Sequence, residues 1–267
     1  MKQNFTLLVK STDSYSDCWE PFFKLMTAYW PEYEGPVYLN TETKEFSYPG
    51  LNIICSHSAD ASPGRRPTWT ECITHTLNQI ETDTVLYVQE DYFFKSAVQH
   101  EALCDLANLF EREKMTYMSI VDFGQRGPYQ PTDIDKRLWK VDQKDRYRIS
   151  LQACLISKSR FMRYFRKHEN PWQFEFYGNK RAHRTPDKFY TLNRDKYKLA
   201  ENPIFPYDPT GIVTKRWKQD VVEDLFMKHN IEVDYSIRGW HAPDPNAKAA
   251  KKRWTLEKIV STIKSLI

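Results

Sequence analysis

The sequence has little glycine, and none in the polar turn at residues 11–14 that follows the first predicted strand. A nucleotidyltransferase that makes activated sugars usually carries a glycine-rich phosphate loop at that place, so the missing glycine counts against this class. The sequence also lacks a run of 18 apolar residues and a signal peptide. These absences predict a chain that does not cross a membrane.

The net charge is small, and the cysteines are not arranged in closely spaced pairs. The net charge is only +4, so nucleic acid is not an expected partner, although basic and aromatic residues alternate at residues 160–184. The five cysteines are an odd number without a CxxC pair. This usage fits a reducing compartment, and we therefore expect a cytoplasmic protein.

Aromatic residues are abundant, at 15% of the sequence, and can build a large core or stack on sugars and bases. Predicted strands at residues 5–9, 37–39, 51–55, 84–88 and 115–121 alternate with amphipathic helices. The Thr68/Glu71 capping box starts one of these helices, and Ser96 is expected to cap the next. The pattern predicts an α/β fold, with a mostly parallel mixed sheet and helices on both faces.

The second half of the sequence is less regular. Residues 123–136 indicate a long loop, residues 147–156 and 231–235 are predicted strands, and residues 159–166 and 221–229 are predicted helices. Residues 169–184 mix aromatic and charged side chains, and a loop is expected there. The last segment combines Lys248, Lys251, Lys252 and Arg253 with the apolar residues Leu256, Ile259, Val260, Ile263 and Leu266. A basic amphipathic helix of this kind either lies on an anionic membrane or docks on the core.

Two short segments carry the chemistry. Gln89, Glu90 and Asp91 end a buried strand, where open α/β sheets bind their ligands, and carboxylates there can hold Mg²⁺ or Mn²⁺. The alternative is a solvated acidic turn. Glu175 follows the aromatic residues Trp172 and Phe174, which can exclude water around a general base. Here the alternative is a surface ion pair of Glu175 with Lys180 or Arg181.

These segments resemble the Asp-x-Asp and acceptor-side motifs of nucleotide-sugar glycosyltransferases with the GT-A (Rossmann-like) fold, over roughly the first 180 residues. The resemblance implies that Asp91 binds the metal that bridges the donor's diphosphate. Gln89 and Glu90 would contact the donor, and Glu90 would compensate for the neutral Gln89 if the register is shifted. Gln89 replaces the first acid of the motif with a neutral amide, which implies a weakly bound divalent cation, Mn²⁺ or Mg²⁺. Glu175 would be the catalytic base, with Trp172 and Phe174 beside the acceptor.

The resemblance also assigns residues to the donor. Ser11, Thr12 and Asp13 would contact the nucleoside, and Asp60 the nucleobase. Arg65, with Arg66 beside it, and Arg181 would lie near the diphosphate. The alternative for the polar residues is an ordinary turn, and exposed arginines are common on any surface. His241 would be a further metal ligand, or a structural histidine.

The implied function is transfer of a sugar from a nucleotide-diphosphate donor to a hydroxyl of a glycan or lipid-linked acceptor. The transfer would be inverting and would serve bacterial surface polysaccharide synthesis, at the inner membrane face if the last helix binds lipid. Residues 1–245 would form one domain, with a nucleotide-binding half at about 1–122, an acceptor half at about 123–245, and the helix at 246–267. Open alternatives are a sugar-nucleotide nucleotidyltransferase and a non-enzymatic carbohydrate-binding module.

Overall fold

Nine strands form one sheet in the computed structural model, which describes residues 3–208, 210–242 and 256–266. In chain order they are β1 Thr6–Lys10, β2 Val37–Leu39, β3 Ile53–Cys55, β4 Thr84–Gln89, β5 Tyr117–Ser119, β6 Tyr129–Pro131, β7 Leu138–Val141, β8 Cys154–Ser157 and β9 Phe189–Leu192. Their order across the sheet is β3-β2-β1-β4-β8-β5-β9-β7-β6. A separate antiparallel hairpin pairs β10 Ile212–Val213 with β11 Arg216–Trp217.

Parallel and antiparallel pairings divide the sheet by region. Strands β3, β2, β1 and β4 are mutually parallel, as are β5 and β9. Strand β8 runs antiparallel to both β4 and β5, and β7 runs antiparallel to β6 and β9. The predicted α/β class with a mixed sheet is confirmed. The parallel strands β1 to β4 lie in the part nearest the N-terminus, where α1 lies between β1 and β2 and α2 lies between β3 and β4, while residues 40–52 join β2 to β3 without a helix.

The principal helices are α1 Trp19–Tyr29, α2 Trp69–Gln79, α3 His100–Arg112, α4 Lys158–Phe161, α5 Pro171–Gln173, α6 Asn179–Ala182, α7 Gln219–Lys228 and α8 Leu256–Leu266. A π-helical turn, Phe174–Gly178, makes residues 171–182 continuously helical. In the described part of the chain, no helix has both the length and the hydrophobicity needed to cross a bilayer.

Alternating side chains of the strands build two cores, one on each face of the sheet. Leu7, Val9, Leu86 and Val88 point into the core shared with α1 and α3. Leu8, Val85 and Tyr87 point into the opposite core, which α2 and the 171–182 helical segment cover. Complete burial of one such aliphatic side chain contributes about 1.5–3 kcal/mol. The predicted helices on both faces are therefore confirmed.

Several predicted boundaries are wrong. Strand β8 is only the last part of the strand predicted at residues 147–156, and the predicted loop at 123–136 contains β6. Residues 231–235 form no strand, and residues 171–182 are helical instead of a loop. Helix α3 begins after Gln99, so Ser96 does not cap it. The Thr68/Glu71 capping box, in contrast, is confirmed.

Candidate active site

A cleft of about 600 Å³ opens at the carboxyl ends of β1 and β4. The acidic turn after β4 forms its floor, the 171–182 helical segment forms one wall, and the β10–β11 hairpin forms another. Aromatic side chains also line it: Tyr15, Trp69, Tyr87, Tyr92 and Trp172. A planar apolar surface of this kind can stack on a nucleobase or a sugar ring.

Asp91 lies where the sequence predicts it, just beyond the end of β4. Its Oδ2 accepts a hydrogen bond from Thr210 Oγ1 at 3.0 Å, and its carbonyl oxygen accepts one from the Gly211 amide at 2.5 Å. Burial raises the pKa of Asp91 to about 6. For the neighbouring Glu90, burial and the charge of Asp91 raise the pKa to about 8, although Lys10 opposes the shift. Glu90 is thus buried and Asp91 is partly buried, with the positive charges of Lys10 and Arg238 nearby.

Asp91 and Glu90 could supply carboxylate oxygens to a divalent cation whose other ligands come from elsewhere. In the described ranges, no group of three or more His, Cys, Asp or Glu side chains could hold a metal ion without other ligands. Mg²⁺ or Mn²⁺ in nucleotide sites needs only one or two carboxylates, because phosphate and water oxygens complete its coordination. His241 lies near the cleft but its Nδ1 faces Thr214 Oγ1 at 3.5 Å.

Gln89 lines the cleft beside the acidic turn. Its side-chain amide donates to the carbonyl of Leu151, and its backbone amide and carbonyl both bond to the hydroxyl of Tyr207. The amide side chain therefore joins β4 to the wall of the cleft at residue 151. A structural bond of this kind explains a Gln at a place where the resemblance expects an acid.

Glu175 faces the same cleft from the 171–182 helical segment. Its Oε1 accepts a hydrogen bond from the Leu151 amide at 2.8 Å, and burial raises its pKa. Within the described residues it forms no ion pair with Lys180 or Arg181, which was the alternative interpretation. Its environment is that of a carboxyl group held in a partly dry pocket.

The two aromatic residues before Glu175 have different positions. Trp172 lines the cleft and is 77% exposed, so its ring is available to a ligand. Phe174 is fully buried and packs against Trp69 and Phe165. The structure therefore places Phe174 in the core, where it cannot touch an acceptor.

The turn after β1 reaches the cleft only in part. Ser11 and Thr12 line it, and Ser11 Oγ also accepts from Trp19 Nε1 at 2.6 Å. Asp13 turns away and accepts hydrogen bonds from the backbone amides of Glu42, Thr43 and Lys44. Although burial acts in the opposite direction, these bonds and one from the Thr43 hydroxyl lower the pKa of Asp13. Asp13 thus secures the loop after β2.

Three further predicted donor residues do not line the cleft. Asp60 is exposed in the short helical turn Ser58–Ala61. Arg65 forms a bidentate ion pair with Glu71, at 2.5 and 2.8 Å. Arg181 is buried against Glu169, with N–O distances of 2.5 and 2.8 Å. Both arginines are therefore already paired within the protein.

The cleft also contains residues that the sequence analysis missed. Lys10 is buried with its Nζ 2.6 Å from the Ser11 carbonyl oxygen, and burial lowers its pKa. Lys215 is exposed at the tip of the β10–β11 hairpin. Gln152 Oε1 is buried and has no hydrogen-bond partner among the described residues. The Thr214–Lys215 turn has positive φ at both residues, yet lacks the Asn-Gly pair that signals such turns.

Comparisons with known proteins give similar structures but no family. No family model and no curated protein matches the sequence. Residues 1–349 of TarS from S. aureus match with a TM-score of 0.49 at 13% identity, over 88% of this chain and 68% of that one. The same fragment with UDP-GlcNAc matches with a TM-score of 0.47 at 12% identity, over 88% and 69%.

A second similar protein is glucosyl-3-phosphoglycerate synthase from Mycobacterium tuberculosis, in complex with Mn²⁺ and UDP-glucose. It matches with a TM-score of 0.32 at 11% identity, over 44% of this chain and 43% of that one. The chain thus spans about two thirds of the TarS fragment and less than half of the synthase. At this level of sequence identity, the similarity is limited to the course of the backbone. The activity therefore has to be inferred from the residues of the cleft.

Proposed function

We propose that the cleft transfers a sugar from a nucleotide-diphosphate donor to a hydroxyl group of a glycan or lipid-linked acceptor, with inversion at the anomeric carbon. The observation that carries this proposal is the placement of Asp91 and Glu175. They come from distant parts of the sequence, and both carboxyl groups line one cleft at the ligand-binding edge of the sheet. Burial raises the pKa of both carboxyl groups, and a raised pKa suits the role of a general base for Glu175.

The donor would lie with its diphosphate over the acidic turn. Asp91, with Glu90 beside it, would hold Mn²⁺ or Mg²⁺, which when bound offsets negative charge on a diphosphate. Lys215 at the open side and Lys10 at the floor would add positive charge near the phosphates. Ser11, Thr12 and Gln152 offer polar contacts to the nucleoside or sugar, and Tyr15 or Tyr92 offers an aromatic surface.

Glu175 would act on the acceptor. The Leu151 amide fixes its carboxyl group at the cleft wall, and Trp172 provides a ring on which an acceptor sugar can stack. In the reaction, the carboxylate takes the proton of the acceptor hydroxyl while that oxygen attacks the anomeric carbon. The bond from that carbon to the phosphate oxygen breaks, and the nucleoside diphosphate leaves with the electron pair.

The wider assignment follows from the resemblance. It includes synthesis of surface polysaccharide at the cytoplasmic side of a bacterial membrane, and a division into a donor half at about 1–122 and an acceptor half at about 123–245. The cleft supports this division, because its acidic floor comes from the first half and Glu175 from the second.

The test begins with binding. Thermal unfolding is measured with UDP, GDP, dTDP and ADP, each with and without Mn²⁺, because a ligand that binds the folded state raises its apparent stability. One of the nucleotides should raise the melting temperature, and more so with Mn²⁺. Asp91→Asn should remove the part of the rise in melting temperature that depends on Mn²⁺. Asp60→Asn, an exposed carboxyl group outside the cleft, is the matched control.

Transfer is then measured as release of the nucleoside diphosphate from the matching sugar donor. Glu175→Gln should keep nucleotide binding and lower the rate by about 10²–10⁴. Glu201→Gln, on the surface, serves as the control. A variant that loses nucleotide binding but keeps its rate at saturation would make Glu175 a binding residue. Absence of nucleotide binding by the native protein would refute the proposed function.

A further inference from the structure

Arg238 contacts two parts of the chain that reach the cleft, the turn after β1 and the β10–β11 hairpin. Its guanidinium group forms a bidentate ion pair with Asp17, with N–O distances of 2.5 and 2.6 Å, and donates to the Ser14 carbonyl oxygen at 2.8 Å. Both acceptors belong to the helical turn Asp13–Cys18, which follows β1. The side chain of Arg238 is only 7% exposed, so these bonds are largely shielded from water. Charge-assisted bonds of this kind fix the turn in place.

The same guanidinium group packs on the ring of Tyr15. Its central carbon lies 4.3 Å from the centre of the ring, a distance at which a cation and an aromatic ring attract each other. Tyr15 lines the cleft, whereas Arg238 does not. Burial and the charge of Asp91 raise the pKa of Tyr15, while the charge of Arg238 lowers it. Tyr15 is therefore a cleft residue whose ring is held by a cation outside the cleft lining.

Tyr15 is better placed than Tyr92 to offer its ring to a ligand. Tyr92 also lines the cleft, but its ring stacks on those of Phe123 and Tyr207. The ring centres are 6.4 and 5.1 Å apart, and the interplanar angles are 10° and 13°. Tyr15 is half-buried, and no aromatic ring in the described part of the chain stacks on it. Of these two tyrosines, Tyr15 is therefore the one whose ring is still available for stacking.

Arg238 is also attached to the β10–β11 hairpin. Its guanidinium carbon lies 5.9 Å from the centre of the Trp217 ring in β11. The backbone next to it bonds to the same strand. The Trp217 amide donates to the Gly239 carbonyl oxygen at 3.0 Å, and the His241 amide donates to the Trp217 carbonyl oxygen at 2.7 Å. Arg238 thus joins the hairpin, which forms one wall of the cleft, to the turn Asp13–Cys18.

We propose that Arg238 is a positioning residue of the donor site, which holds the Tyr15 ring in the cleft for contact with the nucleotide-diphosphate donor. The inference rests on the proposed function, which places the donor over the acidic turn. Because Arg238 lies outside the cleft lining, it acts on the donor only through the residues that it holds. A ring that is fixed in advance lowers the entropic cost of binding. Loss of Arg238 should therefore weaken donor binding more than it slows the catalytic step. The competing interpretation is an ion pair that only stabilises the fold.

The first experiment compares Arg238→Met with Arg137→Met. Arg137 also forms a bidentate ion pair, with Asp135 at 2.6 and 3.0 Å, but does not line the cleft or contact a residue that does. UDP, GDP, dTDP and ADP are titrated with Mn²⁺, and transfer is measured with the sugar donor of the nucleotide that binds. Arg238→Met should raise the dissociation constant and the KM for the donor about tenfold and change kcat by less than about twofold. Arg137→Met should lose stability but keep the native dissociation constant.

A double-mutant cycle then tests whether Arg238 acts through Tyr15. Tyr15→Ala removes the ring and should by itself weaken nucleotide binding. Tyr15→Ala/Arg238→Met should bind the nucleotide no more weakly than Tyr15→Ala does, because the cation no longer has a ring to hold. If the two losses of binding free energy simply add, Arg238 acts on the donor by another route and the inference is overturned.

Asp17→Asn/Arg238→Met provides a second variant in case Arg238→Met does not fold, because it leaves no carboxylate without its cation. It should show the same loss of nucleotide affinity. If a folded variant without Arg238 binds the nucleotide as tightly as the native chain does, the inference is overturned and the proposed function stands. If the native chain binds none of the four nucleotides, the proposed function is refuted and the inference fails with it.

Discussion

Replacement of Arg181 tests whether this side chain contacts the donor diphosphate, as the resemblance implies, or only pairs with Glu169, as in the structure. Its guanidinium group donates to both carboxylate oxygens of Glu169, to the Tyr164 carbonyl and to the Ser265 carbonyl. Glu169 has no exposed surface. Arg181→Met keeps most of the side-chain volume but leaves a buried carboxylate without its cation.

The expected cost is large. Removing one partner of a buried ion pair destabilises a protein by about 3–5 kcal/mol, because the remaining charge stays buried. With an m value of about 3 kcal/mol per M in urea, the unfolding midpoint should fall by about 1–2 M. Glu169→Leu/Arg181→Met removes both charges together. Because neither charge is then left alone, the double variant should recover most of the lost stability.

Urea unfolding followed by tryptophan fluorescence measures these midpoints, and nucleotide-induced stabilisation is measured on the same samples. The structure predicts that the double variant still binds nucleotide. If Arg181→Met leaves the urea midpoint unchanged and abolishes nucleotide binding, the structural argument is refuted and Arg181 contacts the diphosphate.

Further predictions concern Glu175 in the cleft and two residues beside the acidic turn. Burial raises the pKa of Glu175, so the acid limb of the transfer rate should lie above the usual range of a glutamate and vanish in Glu175→Gln. A carboxyl group with a raised pKa contributes stability at a pH below its unfolded-state pKa. That stability is lost as the pH rises through the folded-state pKa. Glu175→Gln should therefore raise the free energy of unfolding at neutral pH, as measured in urea titrations. In Gly211→Ala the new Cβ would lie 2.4 Å from the Phe93 ring, and calorimetry should show a loss of about 1–3 kcal/mol. Tyr207→Phe leaves the backbone groups of Gln89 without their hydroxyl partner and should cost about 1–3 kcal/mol in urea unfolding. Unchanged values in any of these measurements would contradict the contact concerned.

The sequence predicted best the elements that are determined by nearby residues. The Thr68/Glu71 capping box marks the start of α2 because both partners lie within one helical turn. Strand β2 has the predicted bounds, Val37–Leu39. Strands β7 and β9 were missed because they are short, with four residues each, and β9 pairs with β5 and β7, which lie far away in the sequence. Neither strand shows a strict alternation of buried and exposed residues that would indicate a strand.

For the candidate site, the sequence correctly placed Asp91 and Glu175 in the cleft. It wrongly placed the arginines Arg65 and Arg181 there. Asp91 follows shortly after the apolar residues of β4, so the sequence alone predicts that it lies at the edge of the sheet. Whether an arginine is free or paired depends on tertiary contacts, and Arg181 of α6 pairs with Glu169, which lies in the loop before α5. Lys215 had no local signal, because its hairpin uses a Thr-Lys turn.

The antiparallel position of β8 has a consequence for how the chain folds. Strands β4 and β5 follow one another in the sequence with only α3 between them, yet β8 separates them in the sheet. Residues 120–153 must therefore be synthesised before the gap can close, which takes roughly 2–7 s at about 5–20 residues per second on the ribosome. During that time the facing edges of β4 and β5 are open to wrong pairing. Nascent chains that stall before residue 154 should consequently need chaperones more than the complete protein does.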